Sequence, residues 1–441
     1  MSLLGIDLGT SQVKALLVAE DGTELGRGAA GYDISTPRAG WAETDTGQWW
    51  RATRTAVRAA TAVHAARAEV GAIAVTGQMH GLVLISERRV VPVPAMLWLD
   101  RRAVAEADAY RNLPGQLLAS LANAPFPGRA GPMLLWMARH EPEVYRQARW
   151  QLQPKDWLRL RLTGEVATDP TDASATLLYD LARDAWAVEV ADALGLRTEL
   201  LPPIRPCTEL AGHLLPEAAA ELGLQPGIPV ATGAADTAAS LLAAALPGEG
   251  WAMLTLGTGG QWVQPAGPDP AGDPSWQTSL FRAVDGSAYR LAGGQNVGVT
   301  LDWVRRTLQV SWDDLYATAA SVPADPAPVF LPWLVAEAGE TSGGWTGVRL
   351  AHGREDLMRA ALTGVAGLLR SLLENLRAAS GGPGPAKVML GGGGSRNPGW
   401  RDLLAEVLGV PLIPADTPWL TARGATLIAA SVRPGSPPIG T

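Results

Sequence analysis

Apolar and polar positions along the chain fall into short blocks, and one arrangement of blocks occurs twice. Residues 3–7 form an apolar run, residues 13–19 form another, and Leu8-Gly9-Thr10-Ser11-Gln12 lies between them as a turn of small residues. That pattern predicts a β-hairpin. Much later, residues 252–256 are apolar, Gly257-Thr258-Gly259-Gly260 is the turn, and residues 261–263 resume a strand. The shared Leu-Gly-Thr suggests two lobes of similar plan joined near Leu246-Pro247-Gly248; a chance match of three residues is the competing explanation. The expected lobes are residues 1–247 and 248–441.

Between the hairpins, strand-like and helix-like patterns alternate. Residues 49–70 read as an Ala- and Arg-rich helix, and residues 71–76 as a buried strand entering Gly77-Gln78-Met79-His80-Gly81. Residues 82–85 and 95–97 read as strands, 134–149 as a helix, and 156–162 as a short helix stopping at Gly164. A strand at 229–233 opens into Ala234-Ala235-Asp236, with a helix over 237–245. In the second half, residues 299–308 and 313–320 read as helices. The longest helix is expected over 355–379, where Leu357, Ala361, Val365, Leu368, Leu372 and Leu376 recur every three or four residues. Residues 387–390 read as a strand running into Gly391-Gly392-Gly393-Gly394, and 400–407 and 422–432 as helices. The alternation predicts an α/β architecture with helices packed on central sheets.

Composition narrows the function classes. With 47% hydrophobic residues among 441, the chain can bury a core, and Gly 50 with Pro 34 makes it loop-rich without low complexity. One cysteine, Cys207, excludes an internal disulfide and a cysteine-based zinc site. The net charge of −7 supplies no field for nucleic acid. The lysines are Lys14, Lys155 and Lys387, few candidates for a lysine-dependent mechanism. The best apolar run, 238–246, is too short to span a bilayer, and Asp7 interrupts the first apolar run, so a cytoplasmic protein without a membrane partner is expected.

Four loops could carry chemistry. Asp7 at a strand end, followed by Gly9-Thr10-Ser11, suits a phosphate with its divalent cation; an ordinary hairpin turn is the alternative. No Gly-x-x-x-x-Gly-Lys-Ser/Thr is present, which excludes a P-loop. Gly257-Thr258-Gly259-Gly260 permits close approach to an anion or is a plain turn. Gly391-Gly392-Gly393-Gly394-Ser395-Arg396-Asn397 lies between a strand and a helix. Four glycines there are entropically costly, so a close backbone approach is expected, with a nucleotide as the functional reading and a linker as the other. The fourth set is Gln78, Met79 and His80, then Asp100 and Arg102, then Asp236, residues at strand ends suited to sugar hydroxyls or, for a lone Asp, to general-base work; a structural role for each member, with His80 a satisfied core histidine, is the alternative.

Together these pieces resemble the FGGY family of carbohydrate kinases, and within it the xylulokinases. The matching segments are Gly5-Ile6-Asp7-Leu8-Gly9-Thr10-Ser11 with Val13-Lys14, Gly40-Trp41-Ala42-Glu43, Gly77-Gln78-Met79-His80-Gly81, Trp98 with Asp100-Arg101-Arg102, Pro154-Lys155-Asp156-Trp157-Leu158, Asp236, Leu256-Gly257-Thr258 and the four-glycine loop. They run in order across nearly the whole chain, and Gln78-Met79-His80-Gly81 points to xylulokinases rather than glycerol kinases. The resemblance implies two actin-like (ribonuclease H-like) lobes with a cleft between them. It implies ATP-dependent, Mg²⁺-assisted phosphorylation of the terminal hydroxyl of a ketose such as D-xylulose. By motif match Asp236 is the base and Asp7 the carboxylate near Mg²⁺. Gln78, Met79, His80 and Asp100 lie at the sugar; Thr10, Ser11, Thr258 and Gly259 face the phosphates; Gly392, Gly393 and Asn397 lie at the adenosine.

The chain departs from the family pattern in several places. Asp236-Thr237 replaces Asp-Asn, Trp98-Leu99-Asp100 replaces Trp-Asn-Asp, Met133 stands where a lysine is usual, and residues 335–340 lack Gly-Glu-Arg-Thr-Pro. The first two remove amides that could bond a sugar hydroxyl, which leaves ribulose or gluconate as alternative substrates. An actin- or chaperone-like ATP-binding protein is the reading from another class. The chain looks short for the family, and its seventeen tryptophans leave room for a homodimer face.

Overall fold

The computed structural model describes the chain except residues 63–69, 89–90, 247–249, 269, 271, 274, 336–341, 383, 416–418 and 434–441. Two compact units emerge. One comprises Met1–Ala245, Phe281–Ala288 and Trp419–Thr441, the other Leu246–Leu280 and Tyr289–Pro418. They are not the two contiguous halves 1–247 and 248–441, because the last helix and a short internal segment group with the first unit. The expected join at 247–248 and most of the 335–340 departure fall outside the described residues.

In the first unit the predicted hairpin is β1 (Ser2–Leu8) and β2 (Gln12–Ala19), followed by β3 (Glu24–Gly31), the helix α1 (Thr46–Thr61) and β4 (Val70–Gly77). Further along are α2 (Pro154–Thr163), β5 (Leu210–His213), β6 (Pro229–Ala231), β7 (Ala234–Ala235) and α3 (Asp236–Ala244). The sheet order is β5-β6-β4-β1-β2-β3, with β7 also paired to β4. Strand β1 is buried along its whole length. It is apolar on both faces because α1 and the last helix both pack on it. Leu4, Ile6, Leu8, Trp49, Ile73 and Val75 centre the core there.

The second unit repeats the plan. Strands β8 (Trp251–Leu256), β9 (Gly260–Pro265), β10 (Ser279–Arg282), β11 (Ala288–Gly294), β12 (Lys387–Gly391) and β13 (Leu412–Pro414) form a sheet of order β10-β11-β9-β8-β12-β13, of which Phe281, Arg282 and Ala288 group with the first unit. In the first sheet β3-β2-β1 are antiparallel neighbours and β4 and β6 continue in parallel. In the second, β11-β9-β8 are antiparallel neighbours and β12 and β13 continue in parallel. Identical pairing senses in identical order make chance an insufficient account of the two Leu-Gly-Thr hairpins. The long helix α4 (Arg354–Ser380) and α5 (Pro398–Leu408) complete this core with Leu369, Leu373, Leu376 and Trp400.

Two expected helices are corrected. The one at 49–70 ends at Thr61, and Val70 already belongs to β4; residues 63–69 lie outside the described residues. The one at 134–149 is two helices, Ala130–His140 and Pro142–Gln147, followed by the strand Ala148–Leu152 paired with Val83–Ser86. Pro142 has no N–H to continue the first helix but suits the first turn of the next. Among the described residues no helix is long and apolar enough to cross a membrane.

Candidate active site

Strands β1, β4 and β7 are parallel neighbours in one register. Asp7 sits beside Thr76 and Leu8 beside Gly77, while Ala234 pairs with Thr76 and Ala235 with Gly77. Their carboxyl ends therefore coincide, the place where open α/β sheets present ligand sites. The residues with the expected chemistry sit just past these ends: Gly9-Thr10-Ser11 after β1, Gln78-Met79-His80 after β4, and Asp236 after β7.

The hairpin register adds a residue that was given no role from sequence. Because Leu8 pairs with Val13, Asp7 pairs with Lys14, and the Lys14 ammonium lies 3.8 Å from Asp7 Oδ2. Counting outward from the turn would have found this pair. Burial pushes Asp7 up to about 7; Lys14 opposes that shift and Asp236 adds to it. Asp7 Oδ1 is buried with no hydrogen-bond partner. Burial likewise raises Asp236 to about 6, against the pull of Thr237 and Lys14. Asp236 Oδ1 accepts from Thr237 N–H at 2.6 Å and Thr237 Oγ1 at 3.2 Å. Oδ2 has no hydrogen bond or ion pair among the described residues. Thr237 thus spends its hydroxyl orienting the carboxylate beside it.

His80 holds a left-handed backbone (φ 71°), uncommon for a side chain with a Cβ. Its Nδ1 is 3.0 Å from the Ala175 carbonyl and its ring 5.7 Å from that of Phe281. Burial, then the Arg129 charge, hold the imidazole down to about 3, against the Ala175 carbonyl. A neutral ring that gives its Nδ1 proton to a carbonyl keeps Nε2 as an acceptor.

Thr10 and Ser11 stand at the turn, and Thr10 Oγ1 accepts from Trp98 Nε1 at 3.0 Å. Tyr32, also missed from sequence, donates its hydroxyl to the Gly9 carbonyl and accepts from Gln78 Nε2 at 3.2 Å. Gln78 is 1% exposed, and its Oε1 is buried with no hydrogen-bond partner; Met79 is buried as well. Asp100 is held by partners of its own. It has no accessible surface, and its oxygens accept from Arg102 Nε and Nη2 and from Ala42 N–H at 2.8–3.0 Å. Leu99 packs on the core and Met133 lies within one. Neither substituted position offers a polar group.

In the second unit the carboxyl ends of β8 and β12 also coincide, with Thr255 paired to Gly391. Thr258 and Gly259 come after the first, Gly392 and Gly393 after the second. Asn397 Oδ1 caps α5 by accepting from Trp400 N–H at 3.1 Å. Gly392 has φ 87°, and a Cβ there would lie 2.2 Å from the Leu256 carbonyl oxygen. The close approach expected of the four-glycine loop is therefore met, at this position, by strand β8 itself.

Comparison with known proteins gives the family. Residues 2–243 match the N-terminal domain, and residues 252–432 the C-terminal domain, of the FGGY family of carbohydrate kinases. The chain is 34% identical to a xylulose kinase of Escherichia coli (strain K12) over 93% of its own length and 85% of the relative's. A crystal structure of a xyloylose kinase from Brucella ovis superposes with a TM-score of 0.89 at 31% identity, covering 99% of this chain and 93% of that one. That of a xylulose kinase from Rhodospirillum rubrum does so with 0.89 at 29%, covering 98% and 89%. With its repeated α/β sheets, actin-like in plan, this enzyme belongs to the FGGY family of carbohydrate kinases.

Proposed function

We propose that the chain transfers the terminal phosphoryl group of ATP to the terminal hydroxyl of a ketose, with D-xylulose the leading substrate, and that Asp236 is the general base. The observation that carries this is Asp236 itself: a carboxylate at a strand end, oriented through Oδ1 by Thr237 and with Oδ2 uncommitted. A sugar hydroxyl is a poor nucleophile while it keeps its proton, and Asp236, raised to about 6, is ionised yet basic near neutral pH. His80 Nε2 would accept from a second hydroxyl of the same sugar. Positioning contributes most of the remaining rate, since phosphoryl transfer involves little covalent chemistry for the protein to perform.

The residues present fit Mg²⁺: Asp7 offers a hard carboxylate oxygen, Oδ1, that is buried and without a partner. When bound, the ion would neutralise phosphate charge. Asp7 would hold it or its waters, while Lys14 draws part of the Asp7 charge. Thr10, Ser11, Thr258 and Gly259 are assigned to phosphate oxygens, and Gly392, Gly393 and Asn397 to the adenosine. The xylulose kinase relatives support the substrate; the lost amides at Leu99 and Thr237 are the reason to test ribulose and gluconate beside it.

The test is ADP release with and without D-xylulose, coupled to that panel. Sugar-stimulated turnover is expected; turnover indifferent to every sugar would contradict a kinase in favour of a nucleotide-driven switch. Asp236→Asn should lose about three orders of magnitude or more in kcat while still binding ATP, and an active variant would overturn the base assignment. The wild-type kcat/KM should fall about tenfold per unit below pH 6, because protonated Asp236 cannot accept the hydroxyl proton.

A further inference from the structure

Behind the Asp236 strand lies a set of charged side chains that the reaction does not consume. Lys155, Asp156, Arg159, Asp169 and Asp172 are each 0% exposed. The Lys155 ammonium contacts carboxylate oxygens of Asp156, Asp169 and Asp172, and Arg159 Nη1 lies 2.9 Å from Asp156 Oδ1. Burial pulls Lys155 down, but the three carboxylates outweigh it and hold the ammonium above its ordinary range. The amine therefore stands as a fixed internal cation where three carboxylates converge.

Buried ion pairs are weak sources of stability, since apolar replacements of similar volume are often neutral or better. What this set does is reach the backbone. Arg159 Nη1 donates to the Thr232 carbonyl at 3.0 Å. Asp169, held by Lys155, accepts the Thr171 hydroxyl proton and the Thr171 N–H. The Thr171 oxygen then accepts from the Ala235 N–H at 2.8 Å. Ala235 is the last residue of β7 and immediately precedes Asp236. The two contacts clamp the chain on either side of Gly233-Ala234, where it turns into α3.

We propose that Lys155, Asp169 and Thr171 form a positioning relay: the ammonium fixes the Asp169 carboxylate, Asp169 fixes the Thr171 hydroxyl, and that hydroxyl fixes the Ala235 N–H and with it the direction of the Asp236 carboxylate. The relay rests on Asp236 being the base. It touches neither sugar nor nucleotide, so its loss should appear in turnover rather than in binding. A misplacement of about 1 Å in a reacting group can cost about a hundredfold in rate.

Lys155→Met would leave Asp169 and Asp172 buried without their cation, only Asp156 keeping Arg159, and is a poor probe because it would unfold the chain. Thr171→Val keeps the branched shape and removes only the hydroxyl. Its kcat should fall 10- to 100-fold, with KM for ATP and for the sugar within about twofold. Thr171→Ser, which restores the hydroxyl, should return kcat to within about threefold of wild type. A merely structural contribution would lower the melting temperature without this split or this rescue. Unchanged kcat in Thr171→Val, with Asp236→Asn inactive, would overturn the relay alone. Activity in Asp236→Asn would instead overturn the base assignment beneath it. Hydrogen exchange supplies a measurement independent of activity and of any variant: the Ala235 amide should be among the slowest in the wild-type protein, and fast exchange there would also overturn the relay.

Discussion

His80 shows how one side chain can be committed to a single protonation state by its surroundings. Its proton-bound form is disfavoured first by burial and then by Arg129, so the folded pKa falls to about 3. The unfolded chain keeps the ordinary value of about 6.5. A group depressed in this way contributes its full stability above pH 6.5, and that contribution drains away as the pH falls toward 3. The slope is at most about 1.4 kcal/mol per pH unit. His80→Asn cannot take up a proton there and tolerates the left-handed backbone better than most residues. At pH 7 it should be less stable than wild type by about 1 kcal/mol, the worth of the lost bond to the Ala175 carbonyl. By pH 5 the wild type has surrendered up to about 2 kcal/mol through His80, so the difference in urea midpoint should close or reverse. A gap that stays constant between pH 7 and 5 would show that the imidazole titrates normally. None of this could be read from the Gln78-Met79-His80-Gly81 motif. A motif names residue types, and whether each lone pair is free depends on distant partners. Gln78 and Asp100 make the same point: the Gln78 Nε2 bonds Tyr32 while its Oε1 stays buried without a partner, and the Asp100 carboxylate bonds Arg102.

The hairpins were legible because turn chemistry is local: small residues between two apolar runs fix both strands and, through register, the Asp7–Lys14 pair. The parallel pairing of β1 with β4 and of β8 with β12 was not legible, since it joins segments far apart in the sequence. That pairing has a consequence at Gly392. Its φ of 87° is strained for any L side chain, and an added Cβ would sit 2.2 Å from the Leu256 oxygen and 2.8 Å from the Leu256 carbon. The neighbour is backbone, so relief must come from displacing the end of β8, which leads directly into Gly257-Thr258-Gly259. Gly392→Ala should therefore lose about 2–3 kcal/mol of stability and disturb both glycine loops at once, raising KM for ATP at least about tenfold. Gly393 meets nothing within 4 Å of its own added Cβ, and Gly393→Ala should stay within about 0.5 kcal/mol of wild type. Equal losses in the two variants, measured by chemical denaturation, would contradict this account of the loop.

The last described helix lies with the first strands. The helix Leu420–Ser431 packs on β1 and on α3, the helix that Asp236 opens. Gly424 lies so close to α3 that a Cβ would be 1.9 Å from the Ala239 carbonyl oxygen. Polar contacts fasten the rest: Ser240 to Thr421 at 2.8 Å, Arg423 to the Gly22 carbonyl at 3.0 Å, and Ser431 to the Thr208 carbonyl at 2.9 Å. Residues 422–432 read as a helix in the sequence, but which sheet it covers was not legible, because the contacts that decide this come from residues near the other end of the chain. Removing residues after 418 strips one covering from β1 and from the Asp236 helix, a loss comparable with the roughly 5–15 kcal/mol that holds a domain folded. Hydrogen exchange on the truncated chain should show fast exchange across β1, β4 and α3. Strands β8 and β12, whose core of Leu254, Leu369, Val388 and Leu390 does not draw on that helix, should stay protected. Gly424→Ala should act in the same direction by overpacking, costing about 3 kcal/mol. Protection lost first from β8 and β12 would mean that the last helix supports the second unit and not the first.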